Sequence, residues 1–180
     1  KTEGIPPMYL GVGDRSYLTK DTYDYNASKH QANLQTFLQY AGHPFGQKLE
    51  KPYYSYSLGG TLMVFIGADS YQNGNAVYSE EQLTWLSGIL ENAEKYEPVF
   101  LFMHEPMANT VSGSYDNQGY GNVDADSAAA IRALLKDHKN VITFTGHTQY
   151  ALEADKTSFP LSNGIYHIGG VAHLWADKDG

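Results

Sequence analysis

The sequence predicts an α/β fold with layered sheets flanked by helices, and three observations carry this prediction. Short apolar runs typical of strands, among them residues 99–103 and 141–145, alternate along the chain with segments of helical spacing. The pair Gly59 and Gly60 separates two strand-like segments and therefore predicts an antiparallel hairpin. A length of 180 residues suits a single domain with a sizeable core.

Three helices are predicted from apolar residues that recur on one helical face. The first covers residues 34–41 and ends at Gly42. The second follows a capping box at 79–82, in which a serine side chain accepts a hydrogen bond from an amide of the first turn. The third begins near Asp124, after a stretch at 107–123 that is rich in Gly, Asn, Ser and Tyr. A loop of that length in a compact domain is typically functional or mobile.

Six strands are predicted, over residues 5–12, 54–58, 61–66, 99–103, 141–145 and 164–168. Residues 54–58 alternate between large side chains and serine, which is the pattern of a half-buried strand. Residues 99–103 are apolar throughout, which predicts a strand that is buried on both faces of the sheet.

Composition excludes several classes of function. A net charge of −8 argues against nucleic acid as a partner, because phosphate binding needs clustered Lys and Arg. No apolar run approaches the roughly 20 residues of a transmembrane helix, so no membrane span is predicted. Without cysteine, neither a disulfide nor a thiolate metal site can form. Abundant tyrosine and sparse lysine favour an extracellular or cell-surface location.

Two histidines that follow predicted strands are the most informative residues of the sequence. His104 comes directly after residues 99–103, and His147 follows residues 141–145 after one glycine, Gly146. Open α/β sheets place their chemistry just past the carboxyl ends of strands, so the two imidazoles could converge on one metal ion. We expect Gly146 to let the backbone turn tightly enough to aim the second imidazole. One such histidine alone is equally well a hydrogen-bonding residue at a strand end, but the pair favours a site.

Three motifs, PMYLGVGDRS, VFLFMHEPM and NVITFTGHTQ, follow one another in an order that resembles the calcineurin-like metallophosphoesterases. In that family a strand leads into Gly-Asn-His-Asp or Gly-Asn-His-Glu. A later strand ends in a His with a Pro two residues on, and a final strand ends in Gly-His-x-His. The resemblance implies a single domain of this type over residues 1–180, which is partial because the family's first strands have no counterpart in the sequence.

The same resemblance implies that Asp14, His104 and His147 hold one divalent metal ion, which could be zinc, manganese or iron. Asp14 stands where the family has asparagine, and it keeps an oxygen donor. Arg15 and Gln149 stand where the family has histidines, and we expect both to contact the substrate instead. Arg15 can hold a phosphate oxygen through two hydrogen bonds, and Gln149 can donate one. Since the ligands of the family's other metal lie on the absent strands, the chain supplies one metal site at most.

The predicted function is therefore metal-dependent hydrolysis of a phosphate ester, with a phosphorylated small molecule or glycan as the partner. The chain is then a fragment completed by a missing N-terminal half or by another chain, a one-metal hydrolase, or a pseudoenzyme that binds without turnover. The alternative is a noncatalytic extracellular binding or scaffold domain that contacts glycan or protein through the cleft or the 107–123 loop. Tyr115 and Tyr120 of that loop could stack on a sugar or base ring.

Overall fold

The computed structural model describes residues 8–14, 18–19, 22–25, 27–93, 98–116, 121–148, 150, 158–160 and 166–169. The helices are α1 (Ala27–Ala41), α2 (Glu80–Asn92) and α3 (Ala125–Leu135), with a short 3-10 helix at His43–Phe45. The strands are β1 (Leu18–Thr19), β2 (Thr22–Tyr25), β3 (Tyr54–Leu58), β4 (Thr61–Phe65), β5 (Ser70–Gln72), β6 (Asn75–Val77), β7 (Val99–Phe102), β8 (Val141–Thr145), β9 (Ser158–Pro160) and β10 (Tyr166–Gly169).

The predicted α/β class is confirmed, because the main sheet is mixed and is flanked by helices. Its six strands run in the order β3-β4-β7-β8-β10-β9. The four inner strands are parallel to one another, and the two edge strands, β3 and β9, are antiparallel to their neighbours. The β5–β6 hairpin and α2 lie between β4 and β7 along the chain, and α3 lies between β7 and β8. The carboxyl ends of β7 and β8 therefore lie side by side at one end of the sheet, near its centre.

Local signals predicted the hairpin and two of the helices correctly. Both Gly59 and Gly60 have positive φ, at 57° and 85°, as the two-residue turn between β3 and β4 requires. The side chain of Ser79 accepts a hydrogen bond from the Gln82 amide at the start of α2. Asp124 caps α3 by accepting from two amides of its first turn.

The predicted strand over residues 5–12 is wrong for its described part, because residues 8–13 form neither strand nor helix. Side chains hold this segment instead of a ladder of backbone bonds. The Tyr54 hydroxyl donates a hydrogen bond to the Leu10 carbonyl at 3.0 Å, and the ring of Tyr9 stacks on that of Tyr56. Sequence patterns also missed the β5–β6 hairpin, since strands of three residues are too short to show a period.

The two faces of the main sheet differ in how they are covered. On the face toward α2 and α3, Val64, Leu101 and Val141 are all at 0% exposure in one core cluster. On the other face, Phe102 of β7 stacks between aromatic rings of β4 and β8, and it is only half-buried. Phe100 is half-buried as well, so the prediction that this strand is buried on both faces is wrong.

Within the described residues, every helix is too short or too polar to cross a lipid bilayer.

Candidate metal centre

Two neighbouring strands deliver the two histidines predicted to bind metal. Since β7 and β8 pair in parallel with Phe102 opposite Phe144, the turns that follow them start at the same level. The turns are also joined directly by a hydrogen bond of 2.9 Å from the Gly146 amide to the His104 carbonyl. The parallel pairing of the strands thus places the two imidazoles side by side, with ring centroids 5.2 Å apart.

Asp14 lies between the two imidazoles, at the centre of the group. Its Oδ1 is 3.0 Å from Nε2 of His104, and its Oδ2 is 3.8 Å from Nδ1 of His147. One ligand atom from each of the three residues lies within 4.8 Å of the others. The Asp14 side chain is 6% exposed and the imidazole of His147 is 11% exposed, whereas that of His104 is 29% exposed. The group is therefore buried on one side and reaches solvent through His104.

Close packing of the backbone fixes the position of Asp14. Val12, two residues earlier, is 2% exposed and belongs to the main core cluster. A Cβ on Gly67, after β4, would lie 1.8 Å from a methyl carbon of Val12, so only glycine lets the two segments approach this closely. The segment that leads to Asp14 is thus held against the end of β4 without being part of the sheet.

His147 occupies a strained backbone conformation. Its φ is +68°, and the Thr148 amide donates a hydrogen bond of 2.7 Å to the Gly146 carbonyl. This bond spans one residue, which together with the positive φ is typical of the rare γ-turn. The other two described non-glycine residues with positive φ are both asparagine, and such residues make up only a few per cent of non-glycine residues in proteins.

Gly146 has a different role from the predicted one. The positive φ that turns the chain belongs to His147, whereas Gly146 is absent from the residues with positive φ in the described chain. A Cβ on Gly146 would lie 3.3 Å from Nδ1 of His104, and one on Gly13 would lie 3.0 Å from the same atom. The two glycines therefore leave room for the imidazole of His104 on both sides.

Glu105 is a buried acid beside the site that sequence patterns did not single out. Its side chain is 1% exposed, and its Oε1 accepts a hydrogen bond of 2.5 Å from the hydroxyl of Tyr71 on β5. Burial raises the pKa of this carboxyl, while the charge of His104 and the bond from Tyr71 oppose that rise. The one signal in the sequence was a glutamate within an apolar strand end, where an unpaired charge would be costly.

The loop after β7 packs against the turn that carries His147. Ser114 organises this loop, since its hydroxyl accepts hydrogen bonds from the amides of Thr110 and Val111. Gly113 has a φ of +90°, and a Cβ there would lie 2.5 Å from Cβ of Thr148. The long loop predicted as functional thus forms a wall next to the metal centre. Tyr115 is half-buried within it, and Tyr120 lies outside the described residues.

Two predicted site residues cannot be placed. Arg15 and Gln149, the expected substrate contacts, both lie outside the described residues, and the proposals that concern them stay predictions.

The donor set fits one divalent metal ion. Carboxylate oxygen and imidazole nitrogen are ligands that zinc, manganese and iron accept. Ligand atoms on a tetrahedral metal at about 2.0–2.1 Å lie about 3.3 Å apart. The two distances from the Asp14 carboxylate lie on either side of that value, at 3.0 Å from Oδ1 to Nε2 of His104 and 3.8 Å from Oδ2 to Nδ1 of His147. Three protein ligands also leave coordination positions open, as catalytic metal sites require. The described residues bring together a group that could hold one metal ion.

Comparison with known proteins gives no relative from which a role could be transferred. No protein-family model matches the sequence, and no curated protein matches it significantly. The fold and the site thus define an α/β protein with a candidate metal centre at the carboxyl ends of its parallel strands.

Proposed function

We propose that this chain is a metal-dependent hydrolase domain for phosphate esters, of the calcineurin-like type. The observation that carries the proposal is the convergence of Asp14, His104 and His147 within 4.8 Å at the carboxyl ends of parallel strands. These are the three residues that the family resemblance assigns to one metal, and they come from segments of the chain that are far apart in sequence.

The residues around the proposed metal suit hydrolysis. A divalent cation bound here would supply Lewis-acid polarisation of a phosphoryl oxygen. Asp14 contributes a negative charge that favours a cation, and its burial strengthens that attraction. The solvent-exposed side of His104 leaves access for a substrate, while the tighter burial of His147 keeps the rear of the site closed.

The substrate-binding part of the proposal concerns Arg15 and Gln149. A guanidinium one residue after Asp14 would be suited to hold a non-reacting phosphate oxygen, because its planar donors match the geometry of phosphate. An amide two residues after His147 could donate to another oxygen. With a phosphorylated small molecule or glycan as substrate, these two residues would orient the group that is hydrolysed.

Metal analysis and a turnover assay test the proposal together. The purified chain is loaded with manganese or zinc, dialysed, and analysed for bound metal, and then assayed with nitrophenyl phosphate mono- and diesters. We expect about one metal ion per chain, in line with the one ligand group found, and turnover that is lost in His147→Ala. His43→Ala is the matched control, because His43 is exposed in the 3-10 helix outside the ligand group.

Two results would contradict the proposal in different ways. A wild-type chain that retains no metal excludes Asp14, His104 and His147 as a metal centre. A chain that retains metal but hydrolyses neither ester excludes the hydrolase, and supports the noncatalytic binding or scaffold domain on the same fold.

A further inference from the structure

The buried pair of Tyr71 and Glu105 connects the site to a part of the molecule outside the main sheet. Tyr71 lies on β5, in the small two-stranded sheet formed by β5 and β6. It is 8% exposed and belongs to the main core cluster, together with Met103 and Met107 on either side of Glu105 in sequence. The carboxyl group is thus bonded to one phenol hydroxyl and lies between two apolar core residues in sequence.

The pairing is too costly to be incidental. Burying a carboxyl group in apolar surroundings is unfavourable unless hydrogen bonds compensate for the lost water. Glu105 accepts one side-chain hydrogen bond, from Tyr71 at Oε1, and its Oε2 is buried with no hydrogen-bond partner among the described residues. An apolar side chain would suit the location better for folding alone, so the acid and its phenol point to a role in the site.

Backbone contacts show what the pair holds in place. The Val123 amide donates to the Pro106 carbonyl, and the Asp124 amide donates to the carbonyl of Ala76 on β6. The turn after β7 is therefore tied to the β5–β6 hairpin by this backbone connection and by the Tyr71–Glu105 side-chain bond. His104 is the residue directly before Glu105, so its imidazole is aimed by the turn that both ties restrain.

We propose that Tyr71 and Glu105 are positioning residues that hold the turn carrying His104 in the geometry needed for metal binding. The hydrogen bond between them fixes the backbone next to His104, and so presents Nε2 toward Asp14. The claim that the pair favours metal binding rests on the function proposed above. The claim that the pair holds the His104 turn in place does not depend on metal.

Cobalt(II) binding to the full chain tests the metal-binding aspect, with Tyr71→Phe as the main variant. Loss of the hydroxyl should weaken cobalt affinity roughly tenfold, the lower end of what outer partners of metal ligands contribute. It should also alter the visible absorption of bound cobalt, which reports ligand geometry and which a general loss of stability would not change. Tyr53→Phe is the matched control, because Tyr53 is equally buried but packs on Trp85 of α2.

Rescue by a conservative change separates positioning from simple destabilisation. Glu105→Gln keeps an oxygen that can accept from Tyr71, so it should retain cobalt affinity better than Glu105→Met, which has similar size and no acceptor. In the Glu105→Met background, Tyr71→Phe should have no further effect. Equal affinities for Glu105→Gln and Glu105→Met, with folded proteins in both cases, would overturn the proposal.

Amide hydrogen exchange without metal tests the same inference independently of metal binding. The Gly146 amide bonds to the His104 carbonyl and therefore reports the position of the turn. Tyr71→Phe should accelerate its exchange roughly tenfold, whereas Tyr53→Phe should leave it unchanged. Faster exchange in a chain that binds no cobalt would leave the positioning role standing and reject the metal site. Unchanged exchange and unchanged cobalt affinity in Tyr71→Phe would reject the positioning role.

Discussion

The two turns that carry His104 and His147 present the same side chain in different ways. The His104 turn has ordinary backbone geometry and is restrained from outside, by the buried contact of Glu105 with Tyr71 and by a backbone connection to the β5–β6 hairpin. The His147 turn aims its imidazole through a strained γ-turn, with φ of +68°, against which the loop at Gly113 packs. An imidazole can thus be aimed either by packing around a relaxed backbone or with the help of strain within it.

This difference has a consequence for stability. Residues held in sparsely populated backbone regions typically cost about 1–3 kcal/mol, and they persist where function requires them. The strain at His147 is therefore the stronger structural argument for a site, because a histidine that only hydrogen-bonds at a strand end has no need of a positive φ. The burial of Glu105 next to His104 is a second argument for a site.

The largest expected effect comes from removing Asp14, the residue that both turns share. Asp14→Ala takes away the one carboxylate of the group, so we expect metal affinity to fall at least 100-fold, or about 3 kcal/mol. Isothermal titration with manganese or zinc measures the change. Asp116→Ala, at an exposed acid outside the ligand group, is the control. An unchanged affinity in Asp14→Ala would show that Asp14 is not a ligand of the bound ion.

Gly113→Ala should disturb the His147 turn through its packing. The new methyl group would lie 2.5 Å from Cβ of Thr148, and the backbone φ of +90° disfavours any side chain. We expect the free energy of unfolding to fall by about 2–3 kcal/mol, as overpacking adds to backbone strain. Urea denaturation measures this loss.

Gly60→Ala separates the two contributions to that loss. Its φ of +85° is similar, but a Cβ there meets no atom within 4 Å. The expected cost is about 1 kcal/mol from the backbone alone. Equal losses in the two variants would mean that Gly113 does not pack tightly against the His147 turn.

Strain at His147 predicts a variant that is more stable and less functional. Glycine adopts positive φ without steric cost, so His147→Gly should raise the free energy of unfolding by about 1 kcal/mol while weakening metal binding. Thermal or urea unfolding of the metal-free chain measures the gain. His104→Gly should bring no such gain, since His104 is not among the described residues with positive φ. A loss of stability in His147→Gly equal to that in His104→Gly would show that the γ-turn stores no strain.

The comparison of the two turns also shows what could be read from the sequence. Apolar runs and their periods predicted β7, β8 and the hairpin of β3 with β4, and they placed both histidines after strands. Nothing in those patterns shows a positive φ at a histidine or the partner of a buried glutamate. Both depend on the packing of distant segments, as when Gly67 and Val12 approach or when Tyr71 reaches Glu105.

Asp14 is a second example of what the sequence patterns do not show. The motif predicted it as a ligand, but the strand expected to deliver it is absent from the described part of that segment. Period and composition describe regular elements, whereas this residue is held by close approach of irregular backbone to the sheet. The motif thus predicted a residue that lies in the candidate metal group together with a strand that the described residues do not form.

The smallest expected effect concerns His30 on α1, a histidine outside both turns. Burial lowers its pKa below the ordinary 6.5, and the charge of Asp69 offsets only part of that shift. The unfolded chain therefore takes up a proton before the folded chain does as the pH falls through 6.5. The stability contributed by the neutral imidazole is present above that pH and is lost below it. We expect the wild-type Tm to drop by roughly a few degrees more than that of His30→Gln between pH 7.5 and 5.5.

Calorimetry of both metal-free proteins over that range measures the difference. If His30→Gln and the wild type lost stability equally on acidification, burial of His30 would have no part in the pH dependence.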